Sequence, residues 1–341
     1  MSPPATSPTI RAFREEDEVR VLELLTTALG PGPVGHRSPA FFRWKHRTGP
    51  FGPSLMLVAE AGGRIVGLRA LMRWRLRCAG RTLSAVRAVD TATDPGYQRT
   101  GVFSRLTAAA LEALDEDVAL VFNTPNRRSL PGYLKLGWQV AGTVPVSIRV
   151  RRPLRFARGL ASLHAGDPPP ERPPAIHAPP AADVLADRRA ICGLLAEAEV
   201  APGGLATARD PEYLSWRYAS VPGLDYRAVV EERGGVPRGL AIFRVRRRGR
   251  LWESALAELI VRPGDRGVAR RLQRAVTGAA ACDHGVCVFP AGSTPARAAP
   301  WLRSRATRRG VTLAVKPLAS TEPDPGELSA WALSLGDLEL F

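Results

Sequence analysis

The sequence predicts an α/β protein built from two tandem copies of one unit, each a mixed, mostly antiparallel twisted sheet flanked by helices. Three observations predict it. The first is the stretch from Thr91 to Leu106, TATDPGYQRTGVFSRL, where a β-branched strand end meets Asp94-Pro95, a short polar loop and then apolar residues at helical spacing. The second is a repeat in fixed order. At an offset of 172 residues Trp44 matches Trp216, Lys45 matches Arg217, Glu60 matches Glu232, Gly62-Gly63 matches Gly234-Gly235 and Gly67-Leu68 matches Gly239-Leu240. At an offset of 166, Gly101-Val102 matches Gly267-Val268 and Arg105-Leu106 matches Arg271-Leu272. The third is the segment GDPPPERPPAIHAPPAAD, residues 166–183, whose proline density rules out helix or central strand and so separates the copies.

These signals divide the chain into a first unit over residues 10–156, a proline-rich linker over 157–183 and a second unit over 184–341. In the first unit, helical spacing runs from Glu15 to Leu29 and from Pro39 to His46. A β meander follows: Leu55 to Ala61, a turn at Gly62-Gly63, Ile65 to Leu76, a turn near Gly80, then Thr82 to Thr93. A helix from Val102 to Leu114, a short apolar strand from Val118 to Phe122, a helix ending near Leu136 and strands through Val150 complete it. Antiparallel hairpins thus feed one parallel crossover.

The turn carries the first functional signal. Pro95 ends ladder pairing, and Gly101 permits a backbone conformation or a close approach that a side chain would block. The free N–H groups of such a strand–loop–helix turn point outward at a helix N-terminus, which favours a phosphorylated ligand.

At 341 residues, with 45% hydrophobic and 23% charged residues, the chain has the composition of a globular protein of two domains. No apolar run reaches the length of a membrane span, and the start MSPPATSPT has no secretory pattern. Four cysteines, Cys78, Cys192, Cys282 and Cys287, form no disulfide framework at this length, and a cytoplasmic location is expected. Cys282, His284 and Cys287 match no common zinc spacing, so no metal is expected. The net charge of +16 is almost all arginine, with lysine only at Lys45, Lys135 and Lys316. No basic block is interleaved with aromatics, which argues against a nucleic-acid partner. The five histidines, His36, His46, His164, His177 and His284, are scattered and receive no chemistry.

Pro95-Gly-Tyr-Gln98-Arg99-Thr100-Gly101-Val102-Phe103 resembles the signature turn of the GNAT superfamily of acyl-CoA-dependent N-acetyltransferases, with Phe103 where that signature has a second small residue. Downstream, Asn126…Tyr133-Leu-Lys135-Leu-Gly137-Trp138 resembles the superfamily's closing motif at the expected distance. Together these cover most of the first unit, and the second resembles the same fold more faintly. The resemblance implies acetyl-CoA as co-substrate, with an amine of a small molecule or sugar attacking the thioester directly. It implies that the main chain of Thr91, Ala92 and Thr93 pairs with the pantetheine arm. The amides of Gln98, Arg99, Thr100, Gly101, Val102 and Phe103 would hold the pyrophosphate, aided by the helix dipole. Asn126 would reach the pantetheine or pyrophosphate, and Tyr133 would protonate the departing thiolate.

A base is less marked. Asp90 ends the fourth strand, where the superfamily often has a carboxylate, and is the catalytic candidate beside Tyr133. The duplication of Glu60 as Glu232 favours a structural role, while the C-terminal stretch with Asp337, Glu339 and Phe341 offers further acids. The second unit has Asp265 where the first has Arg99, and no tyrosine in the stretch around 292–303, so loss of CoA binding is expected there. Two other readings stand beside the enzyme: a tRNA-dependent aminoacyl transferase of cell-wall precursor type, and a non-catalytic acyl-CoA-binding module.

Overall fold

The computed structural model describes residues 7–30, 32, 37–161, 172–198, 204–298, 302–303 and 310–338. His36, His164, Glu339, Phe341 and the linker residues 162–171 lie outside these. Strands of the first sheet are β1 (Thr9–Ala12), β2 (Leu55–Ala61), β3 (Arg64–Cys78), β4 (Arg81–Thr93), β5 (Val118–Asn123) and β6 (Gln139–Pro145). The chain continues through β7 (Ser147–Val150), β8 (Ala206–Thr207), β9 (Tyr226–Arg233), β10 (Val236–Arg248), β11 (Leu251–Val261), β12 (His284–Cys287), β13 (Leu302–Arg303) and β14 (Gly310–Pro317). Helices of the first half are α1 (Glu18–Leu29), α2 (Pro39–Arg47), α3 (Val102–Glu112), α4 (Leu130–Lys135) and α5 (Pro153–Ala161). Those of the second are α6 (Ala181–Leu185), α7 (Arg188–Glu197), α8 (Pro211–Leu214), α9 (Arg266–Gly278), α10 (Thr294–Ala298) and α11 (Leu335–Leu338).

Two sheets result, as the sequence predicts. One has the order β1-β2-β3-β4-β5-β14-β6, with β8 added beside β3; the other has the order β13-β7-β12-β11-β10-β9. Among the described residues only β4–β5 and β11–β12 are parallel strand pairs. Each follows one crossover helix, α3 or α9, in accord with the connection rule for parallel neighbours.

The sheet boundaries do not follow the chain boundaries expected at 156 and 184. β14, from the second half, lies between β5 and β6, while β7, from the first half, lies between β12 and β13. The two halves exchange equivalent strands. Local alternation establishes that a segment is a strand but not which sheet it joins, so the exchange is invisible in the sequence. The linker differs as well: residues 157–161 belong to α5, and α6 begins at Ala181, immediately after the last proline of the segment.

One buried cluster joins the halves. It contains Trp44, Trp74 and Phe122 from the first half with Tyr213, Trp216, Ile242 and Trp331 from the second. Separate clusters lie under α3 and α4 on the first sheet and under α9 on the second. The repeated glycines are explained here. A Cβ on Gly67 would stand 2.8 Å from both Val102 and Leu106, and one on Gly239 would stand 2.7 Å from Val268 and 2.8 Å from Leu272. In each copy a glycine lets the crossover helix lie flat on the sheet. No described helix is long and apolar enough to cross a membrane.

Candidate active site

β4 and β5 pair only from Ser84 to Arg87, opposite Val118 to Phe122. Beyond Arg87, β4 runs on to Thr93 and the two strands part, leaving one edge of β4 without a strand partner among the described residues. Its other edge stays paired with β3 through Ala92–Leu68 and Thr93–Gly67. Between the pairs Leu68–Ala92 and Ala70–Val89 lies a bulge in which Asp90 and Thr91 oppose Arg69, with Asp90 at φ 43°. Thr91, Ala92 and Thr93, the expected pantetheine partners, therefore line an open slot.

The predicted turn closes one end of it. Asp94 accepts a hydrogen bond from the Gly96 amide at 2.8 Å, and Pro95–Tyr97 form a single 3-10 turn. Arg99 (φ 64°) and Gly101 (φ 86°) are both left-handed, and α3 starts at Val102 with no side chain capping it. Among the described residues nothing accepts the amides of Gln98, Arg99, Thr100 or Gly101. An uncapped helix N-terminus following such a turn leaves backbone donors of the kind that anions accept. Phe103 does not obstruct it: its ring packs edge-on against Tyr133, with centroids 5.3 Å apart, and a Cβ on Gly132 would stand 2.9 Å from it.

In the second copy the corresponding seat is filled by the protein itself. Asp265 caps α9 through a 3.0 Å bond from the Val268 amide, and Thr294 Oγ1 accepts the Gly264 amide at 2.9 Å. A carboxylate at this helix N-terminus disfavours a second anion there.

Tyr133 stands on α4, buried against Phe103 and Trp138. Its Oη accepts a hydrogen bond from Arg69 Nη1 at 2.8 Å, and the same nitrogen donates to Thr91 Oγ1 at 2.8 Å. Asn126 behaves differently from expectation. It is exposed, and its Oδ1 accepts the amides of Arg128 and Ser129, both at 2.9 Å, so this oxygen organises the turn before α4. Only its amide NH2 remains for a ligand.

Asp90, the candidate base, is engaged by neighbouring cations. Its Oδ2 accepts from Lys45 Nζ at 2.7 Å and from His46 Nε2 at 2.9 Å, while Arg37 Nη1 lies 3.8 Å from Oδ1. Burial opposes ionisation of Asp90, but the Lys45 charge and the His46 hydrogen bond outweigh it and hold the carboxyl well below its usual range. Burial pushes both Lys45 and His46 down from their ordinary values, with Asp90 opposing. A carboxylate so held is a poor proton acceptor; it anchors the end of α2 to the β4 bulge. Glu60 accepts from Arg11, consistent with the structural role expected of it. Asp337 accepts from Arg209, Thr207 and the Ser334 amide, and so is likewise committed.

Sequence reasoning missed two residues, Arg69 and Asn123. Both are buried, and Asn123 Oδ1 has no hydrogen-bond partner among the described residues. The available signal was Arg69 itself, a charge inside the apolar run IVGLRALM. His284, which received no chemistry, pairs with Glu253 in the second sheet at 2.9 Å.

Comparison with known proteins agrees with this geometry. Residues 9–141 match the family model described as an acetyltransferase (GNAT) domain. Over these residues the chain is similar to GNAT acetyltransferase domains. No curated protein matches the sequence significantly. Among solved structures, a GCN5-related N-acetyltransferase from Kribbella flavida aligns over 92% of this chain and 72% of its own, at 16% identity and TM-score 0.58. One from Anabaena variabilis ATCC 29413 aligns over 90% and 72%, at 12% identity and TM-score 0.61. A conserved protein of unknown function from Enterococcus faecalis V583, titled a probable N-acyltransferase, aligns over 92% and 73%, at 13% identity and TM-score 0.58. These share the fold of both units, which is that of two tandem GNAT-like domains.

Proposed function

We propose that this chain is an acyl-CoA-dependent N-acyltransferase that moves an acetyl group from acetyl-CoA to an amine of a small molecule or sugar, with the first unit catalytic. The observation that carries this reading is the contrast between two equivalent helices. The N-terminus of α3 is uncapped behind two left-handed residues, whereas that of α9 is capped by Asp265. The first can receive a diphosphate and the second cannot.

In this reading the open edge of β4 from Thr91 to Thr93 holds the pantetheine as an added strand. The amides from Gln98 to Phe103 hold the diphosphate, and the Asn126 amide group lies to one side. The neutral acceptor amine attacks the thioester carbon, and Tyr133 gives its proton to the sulfur as the C–S bond breaks. Asp90 and Asp337 are both committed to cations, so the amine loses its proton to water rather than to a dedicated carboxylate.

Calorimetric titration of acetyl-CoA into the wild type and a Gly101→Glu variant tests the reading. Binding near one equivalent that vanishes in the variant supports it; no binding to the wild type overturns it. A Tyr133→Phe variant then separates an enzyme from a binding module, since only an enzyme loses turnover while keeping affinity.

A further inference from the structure

Arg69 is fully buried, at 0% exposure, on the face of the first sheet that α3 and α4 cover. Buried cations normally have a carboxylate. Lys45, buried likewise, has Asp90. Arg69 has none among the described residues, and its Nε and Nη2 find no acceptor there. Its guanidinium instead lies 5.1 Å from the Tyr133 ring, 5.8 Å from Phe103 and 5.9 Å from Trp138. Three aromatic faces offset part of the desolvation cost without neutralising the charge. The one nitrogen that does form hydrogen bonds, Nη1, divides them between Thr91 Oγ1 and Tyr133 Oη.

A guanidinium can only donate. Tyr133 Oη must therefore accept on the side facing Arg69, and its own proton must point elsewhere. We propose that Arg69 is a positioning residue that turns the Tyr133 proton toward the departing thiolate and holds the phenolate once the proton has gone. This rests on the reading of Tyr133 as the proton donor. In balance, the amine nitrogen bonds to the acyl carbon, the C–S electron pair goes to sulfur, and the Tyr133 proton follows it. The proton lost by the amine returns through water to Tyr133. An unpaired cation serves this purpose better than a paired one, because a carboxylate beside Arg69 would draw its field away from the phenol.

The test compares wild type, Tyr133→Phe, Arg69→Met and Arg69→Lys, each checked for folding by circular dichroism and thermal melting. Thiol release is measured from acetyl-CoA and from an S-aryl thioacetate, with ethanolamine, spermidine and glucosamine supplied as acceptors. An aryl thiolate is stable enough to leave without a proton. Arg69→Met is expected to lower kcat with acetyl-CoA by about 10- to 100-fold, within the range of a general acid's contribution. KM for acetyl-CoA should hardly change, and the aryl thioester rate should fall less than about threefold. Arg69→Lys, which keeps a donor and a charge, should recover part of the loss even if the Met variant folds poorly. An equal loss with both donors, a rise in KM alone or an unchanged kcat overturns the role of Arg69 while leaving the enzyme reading intact. A wild type that releases no thiol above background overturns the enzyme reading, and the role of Arg69 falls with it.

Discussion

Trp44 and Trp216 exchange hydrogen bonds: Nε1 of Trp44 donates to the carbonyl oxygen of Trp216 at 2.9 Å, and Nε1 of Trp216 donates to that of Trp44 at 3.1 Å. Their rings stack with centroids 4.8 Å apart and planes 17° apart. Residues in equivalent positions of a duplicated sequence thus make one self-complementary contact, as subunits do across a two-fold axis. Trp44→Phe removes one donor and leaves a buried carbonyl without its partner. We expect a loss of about 2 kcal/mol in urea unfolding. Trp216→Phe should cost a similar amount, and the double variant less than the sum, because both indoles belong to one contact.

The strand exchange predicts that neither half folds alone. A fragment ending at Phe156 lacks β14, so β5 and β6 face each other across a missing strand. Such edges favour aggregation. The fragment should be insoluble by itself and recovered when the remainder of the chain is co-expressed with it. A soluble, cooperatively melting 1–156 fragment would contradict the observed register.

Gly67 and Gly239 permit a matched experiment. An alanine at either site meets the helix above it at less than 3 Å, and each substitution should cost about 1–3 kcal/mol. Only Gly67→Ala shifts α3, so only that variant should weaken acetyl-CoA binding in calorimetry. Equal affinity in both variants would disconnect α3 from the ligand.

Asp90→Asn tests what the bulge carboxylate does. Asparagine tolerates the left-handed backbone, so the substitution removes only the charge beside buried Lys45. An uncompensated buried cation costs about 3–5 kcal/mol, which thermal or urea melting would register. Unchanged stability with loss of the acidic limb of the rate profile would instead identify a base.

Acid stability should depend on Glu253. Burial opposes its ionisation, but the His284 hydrogen bond and the charges of Arg246 and Arg248 bring its folded pKa to about 2 from an ordinary 4.5. A depressed carboxyl pKa contributes stability above the unfolded value, and that contribution is lost as pH falls from about 4.5 toward 2. The wild type should therefore lose stability over this window more steeply than Glu253→Gln, by up to one proton's worth of slope. Parallel slopes in urea midpoints measured between pH 5 and 2.5 would remove Glu253 from the account.

Much of the site was legible because its signals are local. Pro95, Gly101 and the apolar spacing after them define a turn whose backbone geometry depends on a few adjacent residues. Tyr133 follows from a short motif on one helix. The turn that the Asn126 oxygen organises was not foreseen, because a side-chain carbonyl competes for nearby amides whenever the turn brings them close. The partners of Asp90 were not foreseen for a longer-range reason: Lys45 and His46 come from α2, more than forty positions away.

The sequence by itself determined the repeat, the α/β character of each copy and the strand–turn–helix that carries the candidate site, since each is written in residues close together or in exact repetition. Tertiary structure alone decided that β7 and β14 change places, that Asp90 is held ionised beside Lys45 and that Arg69 stands without a carboxylate behind Tyr133. Strand alternation determines which face a residue takes but leaves open which neighbour it meets, and charge pairing depends on that neighbour.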